Sequence, residues 1–224
     1  MGKIDALIDA LDAAGEREPR AAMARLLAMG PAAGPPLLKA LRTDPRGRVR
    51  AWAAEILGSL RYQPAIPALR RALKDPGMSI RLHAIHGLVA AGARGAGRAL
   101  IPLLRDPSGG IRVNAVDALR HLRVPGYEAP LLQATRDEKW YVRQRAVLAL
   151  RAFGHRKALP RLKAMLRDPH KAVQKAAETA IESFRITAAL NRVYSKEDSS
   201  LPPGFEQYTI EMMRRVEWDD SPVH

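Results

Sequence analysis

Four side chains near the middle of this 224-residue chain could hold a transition metal. His83 and His86 are three residues apart, and Asp117 and His121 are four apart. On helices, each pair would share a face. Three imidazoles and a carboxylate are a donor set for zinc or iron. Neighbouring helices stand about 8–10 Å apart, so donors on two of them do not converge by default. The chain has no cysteine, which removes disulfides, thiolate zinc, iron–sulfur clusters and a cysteine nucleophile. It has no G-x-S-x-G, P-loop or dinucleotide-binding glycine fingerprint. The reading is no catalytic set, no metal and no cofactor, with the histidines serving as polar binding groups.

The most regular polar residues lie elsewhere. Asp44, Asp75, Asp106, Asp137 and Asp168 recur every 31 residues, and Pro follows all but Asp137, which precedes Glu138. Six residues after each Asp stands Arg50, Arg81, Arg112 or Arg143, and then Gln174. Such a row could bind phosphate. A structural role is the stronger reading, because Asp at a turn accepts backbone N–H bonds where a helix begins. Arg beside a core face also needs a paired, hydrogen-bonded partner. Asp44, Arg50, Asp75, Arg81, Asp106, Arg112, Asp137 and Arg143 are therefore assigned to a structural ladder.

The elements that position these residues follow from the same register. With Asp as zero, apolar residues recur at offsets 5, 9, 13 and 16, one face of a helix: Val49, Ala53, Leu57 and Leu60 in the first repeat. Leu69, Leu100, Leu131 and Leu162 at offset 25 mark a second helix. Leu73, Leu104 and Leu166 follow at offset 29, with Thr135 as the exception. Gly58, Gly92, Gly126 and Gly154 read as helix-ending glycines. Each repeat is then a helix pair that buries its apolar face only by stacking on its neighbours. The predicted organisation is a degenerate N-terminal capping repeat over residues 1–43, with a lead helix at 3–14. Five repeats over 44–184 follow, starting at 44, 75, 106, 137 and 168. A C-terminal helix extension, linker and acidic tail occupy 185–224.

The pattern D-P-x-x-x-[VI]-R-x-x-A-x-x-A-L resembles the short HEAT-like repeat of phycobilin lyase subunits and deoxyhypusine hydroxylase. The resemblance covers residues 44–184 and, more weakly, 13–43. It implies an all-α fold, a right-handed α-solenoid of HEAT-like helix pairs with a concave binding surface. It does not imply one activity. The hydroxylase branch ligates metal through His-Glu dipeptides, which this chain lacks. Trp52, Asp117 and Arg145 match the residue types used by a HEAT-like alkylpurine DNA glycosylase family, but the flanking sequence does not align and no role is carried over.

Positions the repeat leaves free point to binding. Offsets 4, 8, 11 and 15 of the helix after each Asp are expected to face the groove. The candidate partner-binding residues are Arg48, Trp52, His83, His86, Asn114, Asp117, His121, Trp140, Tyr141 and Arg145. Trp52, Trp140 and Tyr141 are the expected anchors, although Trp140 could equally pack on the adjacent turn. Residues 44–167 carry a net charge of +16, whereas 1–43 carry +1 and 199–224 carry −3. That field favours an acidic partner. No apolar run suits a signal peptide or a membrane span, so a cytoplasmic protein without a membrane role is expected. The tail places Phe205, Tyr208, Met212 and Val216 at helical spacing, as a cap for the last repeat or a docking peptide. The resulting expectation is a non-catalytic scaffold whose basic concave surface binds an acidic protein. Sequence-independent nucleic-acid binding through the same groove is the alternative, and a metal-dependent or glycosylase-like enzyme a distant third.

Overall fold

The computed structural model describes residues 2–123 and 126–195, with side chains to residue 188. Two compact units divide the chain, Met1–Pro130 and Leu131–His224. Unit 1 holds α1 (Lys3–Ala10), α2 (Arg17–Ala28), α3 (Gly34–Thr43), α4 (Gly47–Ser59), α5 (Ile66–Ala72), α6 (Met78–Ala90), α7 (Gly97–Leu100) and α8 (Gly109–Leu122). The helix α9 (Glu128–Ala134) runs through the division. Unit 2 continues with α10 (Trp140–Ala152), α11 (Leu159–Met165) and α12 (Lys171–Ser195). Short 3-10 turns precede α3, α5, α7 and α11, and another, Ile101–Arg105, follows α7. The described regular structure is all helical.

The turn before each longer helix from α4 onward is built by its Asp. Asp44 holds an extended conformation (φ −68°, ψ 128°), as a residue before Pro must. One carboxylate oxygen then accepts the N–H two residues on: Arg46 at 2.9 Å, Gly77 at 2.8 Å, Ser108 at 2.9 Å, Lys139 at 2.9 Å and His170 at 2.9 Å. The bond forms at Asp137 as well, so Glu138 in place of Pro leaves the turn intact. These are Asx turns, which deliver the chain into a helix without a side-chain N-cap.

The apolar register forms the core. Val49, Ala53, Leu57 and Leu69 are fully buried in unit 1, as are Val142, Ala146, Leu150 and Leu162 in unit 2. Burying a Leu or Val side chain stabilises by about 1.5–3 kcal/mol. Two local expectations differ. The lead helix stops at Ala10, with Leu11 as its C-cap. Gly58 lies inside α4, whereas Gly92 and Gly154 do have the positive φ of helix-ending glycines; Gly126 has a positive φ too, but α8 ends on the left-handed Arg123. After α4 the left-handed position is taken by Arg61, at φ 50°. Gly58 serves a close approach instead: a Cβ there would lie 2.3 Å from the Gly87 Cα.

Candidate functional site

The ladder is continuous through unit 1. Arg50 donates to the Asp44 and Pro45 carbonyls behind it and from Nη2 to the Asp75 carboxylate ahead, at 3.3 Å. Arg81 repeats this, with a two-pronged grip on Asp106 at 2.8 and 3.0 Å. Its Nη1 bonds the Asp75 and Pro76 carbonyls. Arg112, buried, donates to the Asp106 and Pro107 carbonyls. In unit 2, Arg143 grips Asp168 at 2.8 and 2.7 Å and donates to the Asp137 and Glu138 carbonyls. The Arg143 hydrogen bonds hold the Asp168 carboxyl below the ordinary carboxylate range, against the opposing effect of burial. Asp44 is lowered likewise, chiefly by Arg46, which also pairs with Asp9 at 2.9 Å. Gln174 keeps only the backward bond, to the Asp168 carbonyl at 2.7 Å.

The candidate residues of unit 1 form a linked polar surface on α4, α6 and α8. Trp52 meets His83 edge-on, with ring centroids 5.7 Å apart. His83 donates from Nδ1 to the Ser79 carbonyl at 2.7 Å and sets Nε2 3.2 Å from the Glu55 carboxylate. Asn114 donates to the Gly110 carbonyl at 2.8 Å, which leaves its Oδ1 to accept from His86 Nε2 at 3.1 Å. Asp117 is half-buried with Arg120 4.0 Å away, and His121 is exposed. Arg48 is exposed but donates to the Ala13 carbonyl, so it ties α4 to the N-terminal segment. His83 and His86 stand 6.3 Å apart, centroid to centroid. Among the described residues no three His, Asp or Glu side chains are grouped to hold a metal ion.

Unit 2 presents an aromatic shelf. Trp140 stacks on His170 at 3.9 Å with an interplanar angle of 2°, and Tyr141 meets it edge-on at 5.8 Å. The Ala172 N–H donates to His170 Nδ1, fixing the ring from behind. Trp140 thus packs on the adjacent turn and still leaves 40% of its surface exposed. Arg145, one turn along α10, is exposed.

Two features were not anticipated from sequence. Thr135, the break in the offset-29 leucines, is fully buried and accepts from Arg161 at both its hydroxyl (2.9 Å) and its carbonyl (2.7 Å). Burial pushes the Arg161 guanidinium below its usual range, with Arg136 adding repulsion. Arg161 stands where Ala68 and Ala99 stand in earlier repeats, so paired departures at offsets 24 and 29 were the available signal. The second concerns charge. The groove positions hold Arg48 and Arg145 against Glu55 and Asp117, and so balance. Most of the excess lies on the shorter helices and their turns, at exposed residues such as Arg70, Arg71, Lys74, Arg98, Arg105, Arg136, Lys163 and Arg167.

At the end of unit 2, Leu166, Ile181 and Ile186 line an open cleft of about 510 Å³. The tail residues Phe205, Tyr208, Met212 and Val216, read as a cap or docking peptide, lie outside the described residues, as do the linker and acidic tail. Among the described residues no helix is long and apolar enough to cross a membrane.

Comparison with known proteins identifies HEAT repeats in the chain. The family model described as HEAT repeats matches residues 34–108 and 97–182. No curated protein matches the chain. Three solved structures are similar in fold. A designed armadillo repeat protein in complex with a (KR)4 peptide is 21% identical, with a TM-score of 0.56, over 82% of this chain and all of that one. The CpcE–CpcF complex of phycocyanin lyase from Nostoc sp. PCC7120 is 24% identical, with a TM-score of 0.57, over 72% of this chain and 70% of that one. An archaeal HEAT-like repeats protein from Thermococcus onnurineus NA1 is 12% identical, with a TM-score of 0.57, over 97% and 98%. The family match spans well over half of the chain, and these structures are helical repeat proteins; the chain belongs to the HEAT-repeat family and has its all-α solenoid fold.

Proposed function

We propose that this chain is a non-catalytic scaffold that holds an acidic segment of a protein partner on the outer faces of its longer helices. The observation that carries this reading is the linked surface of Trp52, His83, His86 and Asn114. It offers aromatic area and oriented hydrogen-bonding groups on exposed helices. Repeat solenoids of this fold are typical protein-binding scaffolds. Two of the similar structures support that use: one is in complex with a peptide, and the other is a complex of two chains. There the peptide is basic, whereas here the chain itself carries +14, so the complementary partner is acidic. Because the groove charges balance, the long-range field sets the sign of the partner and its association rate. Trp52, Trp140 and Tyr141 then supply the affinity.

The test is a random-peptide display selection on the immobilised full chain. The selected peptides are expected to be net negative and to carry at least one apolar anchor. Selection of neutral or basic peptides would overturn the acidic-partner reading. Metal analysis of untagged protein gives a second check on the non-catalytic part: one equivalent of zinc or iron, lost in His86→Ala/Asp117→Ala, would contradict it.

A further inference from the structure

Each described ladder turn after Asp44 follows a cation at the same register: Lys74 before Asp75, Arg105 before Asp106, Arg136 before Asp137 and Arg167 before Asp168. All four cations are exposed. None makes an ion pair or side-chain hydrogen bond among the described residues. The carboxylates of Asp75, Asp106 and Asp168 are already paired with ladder arginines. Asp75 accepts from Gly77 and Arg50, Asp106 from Ser108 and Arg81, and Asp168 from His170 and Arg143. Asp137 accepts from the Lys139 N–H.

The ladder also sets the order of these turns. The Arg81–Asp106 pair ties the turn of Lys74 to that of Arg105 in unit 1, and Arg143–Asp168 ties Arg136 to Arg167 in unit 2. Packed helices stand about 8–10 Å apart, so each pair of cations is spaced by roughly that distance. Helix dipoles favour cations at helix ends, but Arg42, Arg70, Arg71 and Lys163 already occupy last turns. Arg105 ends the short 3-10 turn Ile101–Arg105, whereas Lys74, Arg136 and Arg167 lie beyond the helices that precede them.

We infer that in each unit these turn cations form a second binding surface, a short track for the phosphate backbone of nucleic acid, separate from the groove of the longer helices. The cation repeats while its surroundings change: Lys-Asp-Pro-Gly, Arg-Asp-Pro-Ser, Arg-Asp-Glu-Lys and Arg-Asp-Pro-His. A constant charge at a constant register suits a ligand of uniform charge. Duplex DNA presents one negative charge per about 1.7 Å of axis, so phosphates fall within reach of both cations of a unit. An acidic protein segment brings scattered carboxylates and needs anchors that vary from repeat to repeat, as they do on α4, α6 and α8. Contacts of this kind position a duplex without reading its sequence.

The experiment is a fluorescence anisotropy titration of a short random-sequence duplex with the full chain over a salt series. Log affinity is expected to fall linearly with log salt. Each cation removed should lower the magnitude of the slope by about 0.9. Lys74→Ala/Arg105→Ala and Arg136→Ala/Arg167→Ala should each lower it by about 1.8, with helical circular dichroism and melting retained. The charge-conserving Lys74→Arg/Arg105→Lys variant should keep the parent slope, which separates lost charge from lost folding. Arg48→Ala/Arg145→Ala should leave the slope unchanged. No binding at low salt, a slope that follows Arg48 and Arg145, or tighter competition by polyglutamate of equal charge would each overturn the track. The groove reading is measured with acidic peptides and groove variants, so either can fail alone.

Discussion

Arg81 closes two structural gaps with one guanidinium. It satisfies the Asp75 and Pro76 carbonyls in its own turn and the Asp106 carboxylate in the next. Arg81→Ala strands a carboxylate whose residue is only 7% exposed. It should cost roughly 2–4 kcal/mol in urea unfolding, whereas Arg70→Ala on the surface should stay within about 0.5 kcal/mol. Equal, small losses would mean that the ladder is not structural. The same geometry sets a pH dependence. Asp168 is lowered by Arg143, so its contribution is present above the unfolded carboxylate value of about 3.9 and is lost as pH falls through the lower folded value. Arg143→Ala should therefore flatten the fall in stability below about pH 4; an unchanged acid limb would contradict the assignment. The Asp and Arg spacing was legible because turn chemistry repeats in sequence. Gln174 is legible only in hindsight: no sixth turn Asp follows Asp168 at the repeat spacing, and an amide suffices for the backward bond. Arg161 and Thr135 were hidden, since their meeting spans 26 residues and breaks the pattern at two sites.

Helix register was readable from apolar spacing, but helix proximity was not. Gly58 and Gly87 let α4 and α6 approach backbone to backbone. A Cβ on Gly58 would meet the Gly87 Cα at 2.3 Å, and one on Gly87 would meet the Ala54 carbonyl at 2.5 Å. Alanine favours a helix over glycine by about 1 kcal/mol. Gly58→Ala should nonetheless destabilise by about 1–3 kcal/mol or more, because backbone cannot give way as a side chain does. Gly92→Ala meets nothing within 4 Å and is strained only by its φ of +64°, so its loss should be about 1–2 kcal/mol. A Gly58→Ala variant as stable as the parent in thermal melts would show that α4 and α6 do not pack this closely. Reading Gly58 as a helix end failed for a physical reason: a glycine that makes room and a glycine that turns the chain look alike in one sequence. The end of α1 was misplaced because its last polar residues carry no C-cap signal.

At the scale of the whole chain, the fold was legible because a 31-residue period constrains every repeat alike. The partner was not, because binding residues are those the period leaves free. Net charge gave a sign but not a location. The groove positions balance, and most of the surplus sits on turns and shorter helices. Two kinds of surface are therefore distinct: varied polar and aromatic positions on the longer helices for an acidic protein segment, and uniform exposed cations at the turns. The most direct measurement is calorimetric titration of the tightest display-selected acidic peptide into the parent chain and into groove and turn-cation variants. Trp52→Ala/His86→Ala for a peptide held on unit 1, or Trp140→Ala/Tyr141→Ala for one held on unit 2, should weaken binding by about tenfold or more, as loss of hot-spot anchors does. Lys74→Ala/Arg105→Ala should weaken it by less than about threefold, through the association rate. Groove variants that bind like the parent, while the turn-cation variant loses the peptide, would contradict the account.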